Sequence, residues 1–200
     1  MKKKILITGG CGYIGSSLGN YFSDKYEVIT LDKRKKNIFL NKKIKHYICN
    51  LLDQNKLKKI LAKVKPDAVV HLAGQSTIDL VDKKKNEYYK NNVLATKILV
   101  KIIKKLEIPK FIFSSTAAIY DKSKGILKET SKIKSKNSYG LSKIKCEKIW
   151  IKNFKLSKTS YCILRFFNVA SSLREKKIGE LHNPETHLIP ILINALYYKK

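Results

Sequence analysis

The sequence contains few arginines, few acidic residues and no paired cysteines. Only three of its 43 basic residues are arginine, and only 15 of its 200 residues are acidic. The four cysteines, Cys11, Cys49, Cys146 and Cys162, stand singly with no CxxC or Cys/His spacing, which argues against a zinc site and against a disulfide framework. We therefore expect no bound metal, reduced thiols and a cytoplasmic protein.

Long apolar runs are also missing. No stretch approaches the roughly 18 consecutive apolar residues that indicate a membrane span. The first four residues are positively charged like those of a signal peptide, but the apolar run that follows ends after Ile7. Because a signal peptide needs a longer apolar core, we expect neither export nor a membrane partner.

The net charge of +28 taken alone would indicate a nucleic-acid or membrane partner. Nucleic-acid surfaces usually use arginine for bidentate contacts to phosphates and bases. Here nearly all the positive charge is lysine, spread along the whole chain. We interpret these lysines as solvated faces and expect no specific nucleic-acid partner.

Apolar β-rich runs alternate with segments of helical period, a pattern that predicts βαβ units and a parallel sheet. The predicted strands are residues 4–8, 26–31, 46–49, 68–72, 111–114 and 161–165. The predicted helices are residues 14–25, 54–65, 88–106 and 139–156, and a further helix is expected to begin at Leu188. The fold class is thus α/β, with a doubly wound parallel sheet of Rossmann type.

A glycine-rich loop, TGGCGYIG over residues 8–15, follows the first strand and opens a helix. Gly9 permits a tight turn, Gly12 lets a pyrophosphate approach the backbone, and Gly15 allows close packing of helix on strand. The second strand ends at Asp32, an acid at nearly the spacing expected for holding ribose hydroxyls. Asp32 would repel a 2′-phosphate, which favours NAD over NADP, although the neighbouring Lys33 and Arg34 weaken that preference.

A YxxxK pair, Tyr139 and Lys143, lies in the fourth predicted helix. Positions i and i+4 share one helix face, so the phenol and the ammonium can point at one ligand. A free tyrosine has a pKa of about 10, and we expect Lys143 and an oxidised nicotinamide to favour the phenolate by their charge. Thr116, after the fifth strand, could bind the same substrate oxygen from the edge where open α/β sheets bind ligands.

Together these motifs resemble the extended short-chain dehydrogenase/reductase family, and within it the bacterial UDP-glucose 4-epimerases. The segments that carry the resemblance are residues 8–15, 50–53, 71–74, 88–93, 113–120, 139–143, 165–168 and 179–190. The last of these, GELHNPETHLIP, is typical of 4-epimerases that act on UDP-hexoses or related pentoses. In that family a smaller domain follows and closes on the nucleotide-sugar. We accordingly expect residues 1–170 to form the NAD-binding domain and residues 171–200 to begin a substrate-binding region that is incomplete here.

The glycine loop and the resemblance together assign candidate site residues. The residues expected to line the NAD site are Gly9, Gly12, Tyr13, Ile14, Gly15, Asp32, Asn50, Leu51, Leu72, Ala73, Gly74, Asn91, Ser114, Tyr139, Lys143 and Phe167. The residues expected to contact the nucleotide-sugar are Thr116, Tyr139, Asn168 and Leu188. The catalytic residues are expected to be Tyr139, Lys143 and Thr116. His71, at a strand end, is equally well interpreted as a hydrogen-bonded core histidine.

The implied reaction is inversion at C4 of a UDP-sugar, UDP-glucose or UDP-galactose, through a transient 4-keto sugar. Related 4,6-dehydratases place an acidic pair after the catalytic Ser/Thr, where this chain has two alanines at 117 and 118, so water elimination is disfavoured. Ser76 and Asn50 depart from the family pattern and are expected to loosen NAD binding. Thr116 replaces a serine but keeps the hydroxyl.

Two alternatives stay open at this point. One is an NAD-binding module without turnover, and the other is a different nucleotide-sugar epimerase or reductase with the same Tyr/Lys/Thr site. The sugar and the oligomeric state are not determined by the sequence. The resemblance implies a homodimer formed through the YxxxK helix and the helix before it.

Overall fold

A computed structural model describes residues 1–35, 40–76, 84–121, 125–172, 178–180, 185 and 187–198. Its centre is one six-stranded sheet in the order β3-β2-β1-β4-β5-β6, in which every pairing is parallel. The strands are β1 (Lys4–Thr8), β2 (Glu27–Asp32), β3 (Lys45–Ile48), β4 (Ala68–His71), β5 (Lys110–Thr116) and β6 (Ser160–Phe166). The strand order reverses between β1 and β4, and ligands of doubly wound folds bind outside the carboxyl ends of the strands at such a switch point.

All six predicted strands are present, which confirms the α/β parallel-sheet prediction. The bounds of β1 agree fully, and the others shift by at most two residues at either end. The largest change is in β5, which continues past Ser114 to Thr116 because it pairs with β6 along its whole length, to the register Thr116↔Phe166. The predicted Ser114-Ser115-Thr116 run is therefore part of the strand.

The helices are α1 (Tyr13–Phe22), α2 (Gln54–Val64), α3 (Lys85–Tyr88), α4 (Ala95–Lys105), α5 (Ser138–Phe154) and α6 (Leu188–Tyr198). A short 3-10 helix, Ala117–Ile119, follows β5. The predicted helix 14–25 ends earlier, at Phe22, because the backbone N–H and side-chain hydroxyl of Ser23 both donate to the Asn20 carbonyl.

The prediction of one continuous helix over residues 88–106 was wrong. A π-helical segment, Tyr89–Leu94, separates α3 from α4. In this segment the side chain of Asn92 points inward, where it accepts from the Gln75 N–H at 2.8 Å and donates to the Ser142 hydroxyl at 3.0 Å. Such π-bulges are frequent at functional sites, and this one joins the loop after β4 to α5.

Alternate residues of the central strands face two separate apolar clusters, as the pleat of a strand requires. Leu6 of β1 and Val69 of β4 join α2, α4 and α5 on one face, whereas Ile7 and Val70 face the other way. On the first face Trp150 stacks on Phe111, with ring centroids 3.4 Å apart. Packing on both faces fixes the sheet and therefore the position of its carboxyl edge.

Two further observations concern the described residues. No helix among them combines the length and the apolar content needed to cross a bilayer. None of the four cysteines, all of which lie in the described part of the chain, takes part in a disulfide.

Candidate functional site

The glycine loop forms a tight turn between β1 and α1. Gly9 has φ +73°, a left-handed conformation that favours glycine, and its N–H donates to the Leu31 carbonyl at 2.8 Å. A Cβ on Gly9 would also lie 2.8 Å from the backbone nitrogen of Ala73. A Cβ on Gly15 would overlap the Gly9 carbonyl oxygen. These contacts leave room for no side chain at Gly9 or Gly15.

The first turn of α1 presents its backbone amides toward the loop. Gly12 is the N-cap residue and its N–H donates to the Gly9 carbonyl at 3.0 Å. Within the described residues no side chain caps this helix end, and its first turn holds no acid. Helix N-termini of this kind bind anions through their N–H groups and the helix dipole.

Asp32, at the end of β2, lies beside this loop. Its carboxylate accepts from the Cys11 N–H at 3.1 Å and from the Arg34 N–H at 3.1 Å, and it forms an ion pair with the Arg34 side chain at 3.3 Å. Burial opposes the charged form of Asp32, but the hydrogen bonds from Arg34 and Cys11 outweigh it and place the pKa of this carboxyl below its ordinary value. Asp32 is therefore an anion at neutral pH.

The loop after β4 forms the neighbouring wall. Its backbone is tied to β1, because Leu72 N–H donates to the Thr8 carbonyl at 3.2 Å and Ala73 N–H to the Thr8 hydroxyl at 3.3 Å. A Cβ on Gly74 would lie 3.0 Å from the Asn92 amide oxygen and 3.7 Å from the Lys143 ammonium. This loop thus lies between the glycine loop and the YxxxK helix.

Tyr139 and Lys143 project from the first turns of α5, whose N-cap is Asn137 with its carboxamide oxygen 2.7 Å from the Gly140 nitrogen. Both side chains are buried. The Lys143 ammonium donates to the Ser114 carbonyl at 2.8 Å and lies over the Phe113 ring, and Tyr139 is hydrogen-bonded to Thr116. The helix face therefore meets the carboxyl end of β5.

Burial is the largest influence on the charge state of this pair. Burial raises the pKa of Tyr139, and the hydrogen bond with Thr116 lowers it by less. Burial likewise lowers the pKa of Lys143, against the neighbouring Cys146 and Glu147 that raise it. Lys143 donates to the strand end and is not among the causes that shift the Tyr139 pKa. In the protein alone Tyr139 is thus a neutral phenol at neutral pH.

Other candidate residues lie around this edge with different exposure. Tyr13 begins α1, and its hydroxyl exchanges hydrogen bonds with the backbone of Ser171 at 2.6 and 2.7 Å. Phe167, Asn168 and Leu188 are exposed. Ile14 is half-buried at the start of α1.

Two residues expected to line the NAD site, Asn50 and Leu51, follow β3. Leu51 packs in the core, and the exposed Asn50 uses its amide oxygen to accept from the Leu52 N–H at 3.1 Å. Asn91 donates to the Gln75 side chain at 3.3 Å. His71 is buried between the Thr8 and Thr96 hydroxyls, as a core histidine would be. Of the segment 179–190, residues 181–184 and 186 lie outside the described residues.

The sequence of this chain is similar to those of known proteins. The model of the NAD dependent epimerase/dehydratase family matches residues 5–200. The chain belongs to this family. It is 35% identical over 194 residues to a UDP-glucose 4-epimerase of Halalkalibacterium halodurans (strain ATCC BAA-125), covering 96% of this chain and 58% of that protein. A Mycoplasma genitalium UDP-glucose 4-epimerase is 34% identical, covering 97% of this chain and 60% of that protein.

Solved structures agree with this assignment. A crystal structure of a UDP-glucose 4-epimerase superposes with a TM-score of 0.90 at 33% identity, covering 99% of this chain and 61% of that one. The Brucella ovis UDP-glucose 4-epimerase, in complex with NAD, gives a TM-score of 0.89 at 27% identity, covering 99% of this chain and 62% of that one. The resemblance predicted from the motifs is confirmed. This family member spans about three fifths of the length of these relatives.

The sequence-based prediction missed a buried ion pair beneath the site. Glu147, one turn after Lys143 in α5, accepts from Arg165 at two points, 3.1 and 2.9 Å, and from the Ser115 hydroxyl. Arg165 also donates to the Tyr120 hydroxyl at 2.9 Å. The hydrogen bonds that Arg165 donates to Glu147 raise the pKa of Arg165 above its ordinary value. The sequence signal was present, because Glu147 lies at i+4 from Lys143 and on the same helix face.

This ion pair and its hydrogen bonds join β5, β6 and α5. Ser115 and Arg165 are register partners on β5 and β6, and Glu147 reaches both from α5. Ser115 stands between Ser114, which accepts from Lys143, and Thr116, which bonds Tyr139. The network therefore supports the strand end to which both candidate catalytic side chains are bonded.

Proposed function

We propose that this chain binds NAD across the carboxyl edge of its sheet and serves epimerisation at C4 of a UDP-sugar. The observation that carries the proposal is the convergence at one edge of the glycine loop after β1 and the Tyr139–Thr116–Lys143 cluster between α5 and β5. Open α/β sheets bind dinucleotides across the strand-order switch. Family membership and the names of the relatives support the same conclusion.

The residues present fit a dinucleotide. Gly9 and Gly15 hold a loop that no side chain fills, and the amides after Gly12 are open to a pyrophosphate. The anionic Asp32 lies where ribose hydroxyls would bind. The wall that would line the rest of the site comprises Tyr13, Ile14, Leu72, Ala73, Gly74, Asn91, Ser114 and Phe167, with Asn50 and Leu51 proposed on the adenine side.

When bound, NAD⁺ would supply a hydride acceptor and donor for C4 of the sugar. Tyr139 would remove the proton of the 4-hydroxyl and return it after the sugar has turned over, which is general acid–base catalysis. Thr116, already bonded to Tyr139, would hold the same oxygen. Lys143 would add positive charge beside the site, held in place by the Ser114 carbonyl.

Ionisation of Tyr139 is the step that the protein must assist. Because burial raises its pKa in the protein alone, the phenolate would form readily only when a positive charge lies nearby. Bound NAD⁺ carries such a charge on its nicotinamide ring. We therefore propose that Tyr139 becomes an effective base only with the oxidised cofactor present, so the base is not exposed as a phenolate in the empty protein.

The UDP-sugar is proposed as the substrate because the relatives are named UDP-glucose 4-epimerases. Asn168 and Leu188, exposed beside the sheet edge, would contact it. We propose residues 1–170 as the cofactor domain and residues 171–200 as the start of the substrate-binding region. A cytoplasmic location is proposed on the absence of disulfides among the four cysteines.

The test is conversion of UDP-galactose to UDP-glucose by the 200-residue chain and by its Tyr139→Phe variant. Loss of the base should lower kcat by at least about 100-fold. Tyr21→Phe, an exposed tyrosine on α1, is the matched control and should turn over normally. Undiminished turnover by Tyr139→Phe would refute the assignment.

A second candidate is an NAD-binding module without turnover. A third is an epimerase or reductase acting on another nucleotide-sugar at the same three residues. Assays for bound NAD and for interconversion of several UDP-sugars separate the candidates. NAD binding without turnover would favour the second, and turnover with another sugar only would favour the third.

We also propose a homodimer formed through α4 and α5. Six lysines border the groove between these helices around Val100 and Ile149: Lys97, Lys101, Lys104, Lys105, Lys148 and Lys152. Like charges would oppose self-association, and salt screens such repulsion. Dimerisation through this face should therefore strengthen with ionic strength in sedimentation measurements, and a dimer that weakens with salt would contradict it.

A further inference from the structure

The carboxylate proposed to hold the adenosine ribose is already fully engaged. One oxygen of Asp32 accepts from Arg34 N–H at 3.1 Å and Arg34 Nε at 3.3 Å. The other accepts from Cys11 N–H at 3.1 Å and from the second guanidinium nitrogen of Arg34 at 3.5 Å. A carboxylate offers about four lone-pair positions. Two of the four are taken by the Arg34 side chain, so ribose hydroxyls would have to displace it.

The same guanidinium extends toward the phosphate loop. One Arg34 terminal nitrogen lies 3.8 Å from the point where a Cβ on Gly12 would stand. The Arg34 side chain is 58% exposed, whereas Asp32 is 7% exposed. Arg34 thus covers its partner from the solvent side and spans the space between the end of β2 and the glycine loop.

The local charge is positive despite Asp32. Lys33 and Lys35 flank Arg34, and Arg34 itself balances the single carboxylate. A bare acid at this position repels a 2′-phosphate, and a nearby arginine accommodates one. Guanidinium groups bind phosphate bidentately.

We propose that Arg34 is a specificity-determining residue that lets this chain accept a 2′-phosphorylated dinucleotide, NADP, alongside NAD. Arg34 competes with the ribose of NAD for Asp32, and it presents a guanidinium to the 2′-phosphate of NADP at the same place. The inference rests on the proposed dinucleotide site and concerns its selectivity.

Equilibrium titrations of the 200-residue chain with NAD⁺, NADP⁺, ADP-ribose and 2′-phospho-ADP-ribose test it without requiring turnover. The wild-type chain should bind NADP⁺ within about tenfold of NAD⁺. Arg34→Gln should weaken NADP⁺ binding by about tenfold or more, the loss of hydrogen bonds to a charged group, and leave NAD⁺ binding equal or tighter. The two ADP-ribose ligands should repeat the difference, because it arises on the adenosine side.

Lys33→Gln is the matched control, since it removes one positive charge from the adjacent residue. It should weaken NADP⁺ binding only slightly, and far less than Arg34→Gln does, because Lys33 adds charge but, among the described residues, forms no hydrogen bond or ion pair with Asp32. Equal weakening of NAD⁺ and NADP⁺ binding by Arg34→Gln would overturn the inference. A wild-type chain that binds NADP⁺ about 100-fold more weakly than NAD⁺ would also overturn it. A factor of this order is what a buried unpaired polar group costs. Failure to bind either dinucleotide would overturn the proposed function itself, and this inference with it.

Discussion

Replacement of Arg165 by methionine should destabilise the protein because it leaves the buried Glu147 carboxylate without its ion-pair partner. Arg165 donates twice to Glu147, once to the Tyr120 hydroxyl and once to the Glu129 carbonyl. Glu147 is 4% exposed, and without Arg165 the Ser115 hydroxyl is the one hydrogen-bond donor left to it among the described residues. Removing one partner of a buried pair costs about 3–5 kcal/mol. Because Arg165 is itself 21% exposed and water can reach the gap, we expect about 3 kcal/mol.

Urea unfolding followed by circular dichroism measures this loss directly. In a domain of this size 1 kcal/mol shifts Tm by about 2–4 °C, so Arg165→Met should melt about 6–12 °C lower. The double variant Arg165→Met with Glu147→Gln removes the stranded charge and should recover at least about 1 kcal/mol. A single variant within about 0.5 kcal/mol of wild type, the range of ordinary surface changes, would refute this account of the pair. So would a double variant less stable than the single one.

Two further changes probe the loop and the core. Gly15→Ala should abolish NAD binding in a fluorescence titration, because its Cβ would overlap the Gly9 carbonyl oxygen. The control Gly179→Ala, whose Cβ would have nothing within 4 Å, should bind NAD normally. Retained binding by Gly15→Ala would contradict the loop geometry. Burial lowers the pKa of His71 from 6.5 to about 3. Between these two pH values the unfolded state binds one more proton than the folded state, so the free energy of unfolding decreases as the pH is lowered. Between pH 7 and 5 wild type should lose about 2 kcal/mol more than His71→Gln in urea unfolding, and parallel losses would show that His71 does not carry the dependence.

The strands were predictable because their signal is local. Each strand of a parallel sheet is buried on both faces and appears as a short, nearly continuous apolar run, as in β1 and β4. The π-helical segment at Tyr89–Leu94 has no such signal. It depends on Asn92 reaching Gln75 and Ser142, which are 17 and 50 residues away in the chain. A helical period read from the sequence cannot separate i+4 from i+5 bonding over six residues.

The site was predictable to the same extent. Tyr139 and Lys143 share a face because of their spacing, and the structure brings that face to the end of β5. The spacing did not predict the charge state of Tyr139. Burial is the largest influence on the pKa of Tyr139, and burial is a property of the whole fold. The pairing of Glu147 with Arg165 was missed because it also depends on the whole fold. Glu147 lies in α5 and Arg165 in β6, 18 residues later in the chain.

The alternation of β5 gives its last hydroxyls different tasks, and this can be tested. Ser115 is buried and donates to Glu147, whereas Thr116, the next residue, is half-buried and bonds Tyr139. Successive side chains of a strand face opposite sides, so Ser115→Ala should lower stability by about 1.5 kcal/mol, a hydrogen bond to a charged group, and spare turnover. Thr116→Val keeps the shape but loses the hydroxyl that accepts from Ala118 N–H at 3.2 Å, so it should cost about 1 kcal/mol of stability and in addition lower kcat in the UDP-galactose assay. If the two variants exchanged these effects, the network around Glu147 would belong to the chemistry and Thr116 to the scaffold.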